Sequence, residues 1–325
     1  MKAGKQTTLR DQAAVSGIGI HSGLPATLTL LPADANTGIV FVRVGRNGER
    51  DREIRADVRA VTATEFATVL GDAAGTLCST AEHVLAALSG LGVDNAIVEI
   101  DGPEVPIMDG SSAPFVAAID QAGVVTLQAP RRYIQVLKPV GVTMDDAYGE
   151  LRPYARGFRI EVEIQFDHAL IGRQTLALDV EPDSFRRELA RARTFGFMRD
   201  VAKLWNSGFA LGASFENTLV VTEDRVLNPD GLRFADEFAR HKALDAIGDL
   251  TLAGAPLLAA YRSVRGGHKL NHAVLSALMA DPSAFTVVEA HEPRPEIRPE
   301  APRPRRIRGH AETGLVARAY GPDVS

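Results

Sequence analysis

Residues 79–92 read STAEHVLAALSGLG, and here the hydrophobic period changes from two to between three and four. Val84, Leu85, Leu88 and Leu91 fall on one helical face, and Gly90 and Gly92 stand near the expected stop. Upstream, QTTLRDQAAV (6–15), ATLTLLPA (26–33), IVFVRVG (39–45), EIRADVRAV (53–61) and FATVLG (66–71) alternate apolar and polar residues between turn signals and read as strands. Downstream come a strand, NAIVEIDG (95–102), and a second helix, SSAPFVAAIDQAG (111–123), entered through the Met108-Asp109-Gly110 turn. The stretch VVTLQAPRR (124–132) reads as a connector.

The second half repeats this order with other residues. YIQVLKPVGV, YGELRPY, FRIEVEIQF and QTLALDV read as strands, and SFENTLVV (214–221) supplies another after an inserted helical and apolar segment. A long helix, RFADEFARHKALDAIGDL (233–250), a strand, PLLAAYRSV (256–264), and a helix, NHAVLSALMA (271–280), complete it. The pattern predicts an α+β protein of two similar domains, residues 1–126 and 127–290, each a small sheet layered with helices. From residue 291 the chain turns to Pro and Arg, with no apolar period to bury, and 291–325 reads as a disordered tail.

The 325 residues suit two domains, and 45% hydrophobic with 24% charged residues is a globular composition. Lys plus Arg is 36 against 41 Asp plus Glu, a net charge of −5, which offers no overall attraction to nucleic acid. The single cysteine, Cys78, can form neither an intrachain disulfide nor a thiolate cluster, so a metal must be held by His and carboxylate. With no long apolar run and no signal-peptide core, a cytoplasmic, soluble protein is expected, and a monomer is the expectation without a sequence feature to carry it.

On the helix from Arg233, Phe234, Phe238, His241, Asp245 and Leu252 form one stripe, so two polar residues interrupt a core-facing line. A carboxylate buried alone costs several kcal/mol, and Asp245 therefore needs a partner. An imidazole and a carboxylate at i and i+4 lie about 6 Å apart at Cβ, which suits either a surface pair or two ligands of one ion. A third ligand decides between them, and His83 is the candidate. Its neighbour Glu82 could reach water on such an ion, as in the zinc peptidase motif with the order reversed, or simply complete a Ser79-x-x-Glu82 capping box. Asp249 lies about 12 Å along the axis from His241, too far to share its ion, but could orient a second histidine. His268, after a glycine pair in GGHKLNH, is either an exposed loop residue or a general acid. The glycine-rich GIGIHSG (17–23) does not join a buried strand to a helix, so it reads as a strand turn exposing His21 and not as a nucleotide loop. Leu204, Trp205, Phe209 and Leu211, after RARTFGFMRD (191–200), are either core or one wall of a lipid-sized groove.

The runs GIGIHSG, STAEHVLAALSGLGVDNAIVEIDGPEVPIMDGSSAPFV, RARTFGFMRD, RVLNPDGLRFADEFARHKALDAIGDL and GGHKLNH resemble the UDP-3-O-acyl-N-acetylglucosamine deacetylase family, in order and over residues 3–288. The resemblance implies a two-domain zinc amidase with its site between the domains. It would act on a UDP-linked acylated amino sugar, releasing acetate in the committed step of lipid A synthesis. It also implies His83, His241 and Asp245 as Zn²⁺ ligands, Glu82 as general base, and His268, oriented by Asp249, as acid. Thr194 would assist the oxyanion. Lys242, Phe195, Phe166 and His21 would contact substrate, and the apolar insert around 195–215 would shelter the acyl chain.

Two other readings share the ligand set. A non-haem Fe(II) oxygenase also uses two His and one carboxylate, but normally on a β-barrel and with an oxo-acid clamp. A metal-stapled interaction protein would leave Glu82 and His268 without a task.

Overall fold

Five strands make the sheet of the first half, in the spatial order Ala13–Ile18, Pro25–Pro32, Ala96–Ile100, Ile39–Arg43, Arg52–Arg55. The second half builds the same arrangement from Val140–Met144, Ala147–Pro153, Leu257–Val264, Phe158–Gln165 and Arg173–Val180. In both, the central strand is antiparallel to one hairpin and parallel to the other. A parallel neighbour cannot be reached by a tight turn, so each central strand enters late, behind a helix. That helix is Glu82–Gly90 in the first half and Glu237–Thr251 in the second, and helices Ala113–Ala122 and His268–Ala280 follow the central strands. The same topology thus occurs twice in this α+β chain. The computed structural model describes residues 4–45 and 50–290, so the tail expected over 291–325 lies outside the described residues.

Helices Glu82–Gly90 and Glu237–Thr251 pack directly on each other. Among the side chains of the first, only Ser89 escapes full burial, so the stripe expected on one face widens to nearly the whole circumference. Their close approach depends on Gly248, where a Cβ would stand 2.0 Å from the Glu82 carbonyl oxygen.

Several sequence expectations are corrected. The run 6–15 divides into strands Lys5–Leu9 and Ala13–Ile18, separated by a bend at Arg10 and Asp11. The connector at 124–132 is a strand, Val124–Pro130, antiparallel to Lys5–Leu9, because backbone left along that strand needs a hydrogen-bonding partner. Within 53–61, Asp57 accepts the Arg59 N–H and turns the chain into a short 3₁₀ segment, Val58–Ala60. The strand expected over 214–221 shortens to Leu219–Val221, since Ser214 and Asn217 form a hydrogen-bonded turn before it. A strand with no alternating apolar signal, Phe285–Glu289, pairs with Arg132–Val136. The long helix begins at Glu237 and not at Arg233, because the Glu237 carboxylate accepts the Arg233 N–H at 2.6 Å outside the helix. Phe234 and Leu252 therefore lie beyond its ends.

Candidate metal centre and acid–base site

The two packed helices bring His83, His241 and Asp245 together, with one ligand atom from each lying within 4.8 Å of the others. His83 Nε2 stands 3.5 Å and His241 Nε2 3.2 Å from Asp245 Oδ1. All three residues are buried. The donor set fits a divalent cation. Among the described residues Asp245 Oδ1 accepts no hydrogen bond, an arrangement too costly for a buried carboxylate unless something positive faces it. His241 Nδ1 lies 3.0 Å from the Ala192 carbonyl, so it carries the proton and leaves Nε2 with a free lone pair. Burial drives the His241 imidazole down to about 3, so this ligand is neutral at physiological pH. The Asp245 carboxyl is held well below the usual carboxylate range, against the cost of burial, by the charged form of His241 where that imidazole is protonated and by the Lys242 ammonium throughout. Lys242 Nζ donates to Asp245 Oδ2 at 2.9 Å.

Beside this centre sits a second buried group. Glu82 Oε2 accepts the Thr68 N–H at 3.0 Å, and Oε1 faces His268 Nε2 at 3.9 Å. The Ser79-x-x-Glu82 capping box is not formed: Ala81 occupies the N-cap with helical dihedrals, and no side chain caps the helix. The Glu82 carboxylate turns away from its own helix start, and burial raises its pKa. His268 is not an exposed loop residue. It opens the helix His268–Ala280, is buried, and donates through Nδ1 to Asp249 Oδ2 at 2.8 Å. Burial works against its charge, but the Asp249 and Glu82 carboxylates outweigh it and lift the imidazole to about 9.

A cavity of about 240 Å³ opens over these groups. Glu82, His83, His21, Thr194, His241, Lys242, Asp245 and His268 face it, and Ile20, Phe66, Phe195, Phe197, Leu204 and Val220 supply apolar wall. Thr194 is placed by its own backbone, which donates to the Gly110 carbonyl and accepts from Leu219. Phe195 lies beneath Lys242, whose Nζ is 5.7 Å from the ring centroid. Phe166 does not line the cavity; it backs Phe195 and Phe197, with ring centroids 5.8 Å away from each. His21 is half-buried, not exposed, because Phe209 and Phe66 cover its ring at 5.4 and 6.4 Å. Of the apolar insert, Leu204 lines the cavity and Phe209 packs on Phe66, whereas Trp205 and Leu211 are 56% and 53% exposed and belong to neither core nor cavity wall. Cys78 is buried, and burial pushes its thiol up, so it carries no reactive thiolate.

Sequence reasoning missed Thr68, Asn271 and Glu104. Asn271 Nδ2 donates to Asp249 Oδ2 at 2.8 Å, and Glu104 accepts the N–H groups of His21 and Ser22 and the Thr80 hydroxyl. Nothing in their local sequence marks them, because their partners in the site stand 14 to 200 positions away.

A candidate cation site of two imidazoles and a carboxylate, set beside a buried carboxylate–imidazole pair under a largely apolar cavity, is an arrangement suited to a metal-dependent hydrolase. Residues 6–280 match the family described as LpxC, UDP-3-O-acyl N-acetylglycosamine deacetylase. The chain is similar to the UDP-3-O-acyl-N-acetylglucosamine deacetylases of Brucella melitensis, at 52% identity, and Brucella ovis, at 51%, each over 286 residues covering 88% of this chain and 99% of the relative. The chain belongs to this deacetylase family. That membership decides for a hydrolase against the iron oxygenase and the metal-stapled interaction protein.

Proposed function

We propose that the protein hydrolyses the N-acetyl group of UDP-3-O-[(3R)-3-hydroxyacyl]-N-acetylglucosamine, giving acetate and UDP-3-O-acyl-glucosamine, the committed step of lipid A biosynthesis. The observation that carries this reading is the meeting of His83, His241 and Asp245 with Glu82 and His268, the latter bonded to Asp249, in the lining of one largely apolar cavity. His83, His241 and Asp245 hold Zn²⁺. When bound, the ion polarises the acetamide carbonyl and lowers the pKa of water toward about 7.

The remaining chemistry belongs to the side chains. Glu82 Oε1 takes the proton of the attacking water, while the Thr68 N–H fixes its other oxygen. His268, protonated because of its two carboxylate neighbours, passes a proton from Nε2 to the leaving amine, and Asp249 keeps that nitrogen directed at the cavity by holding Nδ1–H. The Thr194 hydroxyl donates to the developing oxyanion. Lys242, Phe195 and His21 contact the sugar and acyl chain, with Phe166 behind Phe195. Each CH₂ sheltered in the apolar part of the cavity contributes about 0.8 kcal/mol to binding. The lobes 1–126 and 127–290 each supply part of the site, in a cytoplasmic monomer. Among the described residues no helix is long and apolar enough to cross a membrane.

The test is metal analysis combined with acetate release from the acylated UDP-sugar. Bound zinc, with acetate production lost on chelation and in Glu82→Ala, is the expected result. Acetate release indifferent to both would refute the mechanism.

A further inference from the structure

We propose that Thr68 is a positioning residue for both proton-transfer groups, setting the general base with its backbone and the acid's orienting carboxylate with its hydroxyl. The inference rests on the acid–base reading above and extends it to a residue that touches neither metal nor substrate.

Thr68 is 1% exposed and lies just before the strand Val69–Asp72. Its three polar groups are all committed to the site. The N–H donates to Glu82 Oε2 at 3.0 Å, and the carbonyl accepts the Ala81 N–H at 3.2 Å, holding the start of the helix that carries Glu82 and His83. The hydroxyl donates to Asp249 Oδ1 at 2.6 Å, on the long helix of the other half of the fold, and stands 3.5 Å from His268 Nδ1.

Asp249 shows what the hydroxyl does. Its Oδ2 receives His268 Nδ1–H and Asn271 Nδ2–H, each at 2.8 Å, and its Oδ1 receives the Thr68 hydroxyl. A carboxylate bonded on both oxygens cannot rotate about its terminal torsion without breaking a buried hydrogen bond. The plane of Asp249, and through it the aim of His268 Nε2, is therefore set by Thr68 and Asn271 together. Because the same threonine also fixes Glu82, the 3.9 Å separation between Glu82 Oε1 and His268 Nε2 is spanned from behind by a single residue. That separation decides whether one substrate nitrogen and one attacking water can be served at once, and small misplacements of such groups are costly in rate. Serine shares the hydroxyl; valine keeps the shape and the backbone bonds but loses it.

The experiment compares Thr68→Val, Thr68→Ala and Thr68→Ser as metal-loaded enzymes, beside Glu82→Ala and His268→Ala. Thr68→Val and Thr68→Ala should lower kcat by about 10- to 100-fold while KM stays within about twofold and bound metal stays at the wild-type level. Thr68→Ser should recover most of the loss. Adding Thr68→Val to Asp249→Asn should cost little more than Asp249→Asn alone, because both act on one imidazole. The proposal is overturned if Thr68→Val keeps wild-type kcat, if Thr68→Ser is as impaired as Thr68→Val, if the two losses multiply in full, or if kcat falls only in step with lost metal. Retained activity in Glu82→Ala and His268→Ala would instead remove the acid–base reading itself; their inactivity beside an active Thr68→Val removes only the role of Thr68.

Discussion

Gly248 faces the carbonyl oxygen of Glu82 so closely that a Cβ would stand 2.0 Å from it, and this contact lies between the helices that carry the three candidate ligands. The helices can approach only where one lacks a side chain. Asp245 and His241 come from one helix and His83 from the other, so the contact sets the width of the metal site.

Gly248→Ala should therefore push the helices apart. The expected cost is about 1–3 kcal/mol of stability, as for other overpacked cores, together with loss of bound metal. Denaturant unfolding and metal analysis check it. A variant with wild-type metal content would show that the site does not depend on this contact.

Glu82→Ala should reduce acetate release by about 10²- to 10⁴-fold, the span covered by a general base, while the protein still binds metal. Because burial raises the Glu82 carboxyl, the acid limb of the kcat/KM profile should lie above the ordinary glutamate range. Metal content measured beside the rate separates loss of the base from loss of the ion.

The imidazole of His268 sets the alkaline limb. It is lifted from 6.5 to about 9, with Asp249 and Glu82 overcoming the opposing effect of burial, so the acid is protonated at neutral pH and kcat/KM should fall as pH passes about 9. His268→Gln should remove that limb along with most of the rate. The sign for stability follows from linkage: the folded state binds this proton more tightly than the unfolded chain, so its contribution is complete below 6.5 and is lost as pH rises through about 9. Denaturation midpoints across that window, compared between wild type and His268→Gln, read it directly.

Removing the ion with a chelator should abolish acetate release and leave two imidazoles and a carboxylate facing one another. Asp245→Ala should lose metal and also free Lys242, whose ammonium is bonded to Asp245 Oδ2. Restoration of activity by zinc after chelation, and its absence in Asp245→Ala, is the expected pair of results.

Phe195→Ala should raise KM for substrate, since the ring lies in the cavity wall beneath Lys242 and is packed by Phe166 and Phe238. Phe195 is half-buried, so its truncation costs less than the ~3–5 kcal/mol of a fully buried aromatic, and thermal stability is followed alongside. An unchanged KM with an intact fold would place the acyl chain elsewhere.

Local chemistry in the chain was enough to single out the candidate ligand helix, because His241 and Asp245 fall on one face at a fixed rise per residue, and to mark Glu82-His83 as its candidate partner, while leaving a plain surface pair open. Alternation and its change of period likewise fixed the α+β class and the repeated order of strands and helices. Only tertiary structure showed that Glu82 turns from its own helix toward His268, that His268 is buried, that Val124–Pro130 is a strand, and that Thr68, Asn271 and Glu104 belong to the site. The difference is physical. Periodicity reports which side of an element is apolar, a property of near neighbours, whereas a hydrogen bond such as Thr68 to Asp249 joins residues 181 positions apart and exists only once two helices have closed over a glycine.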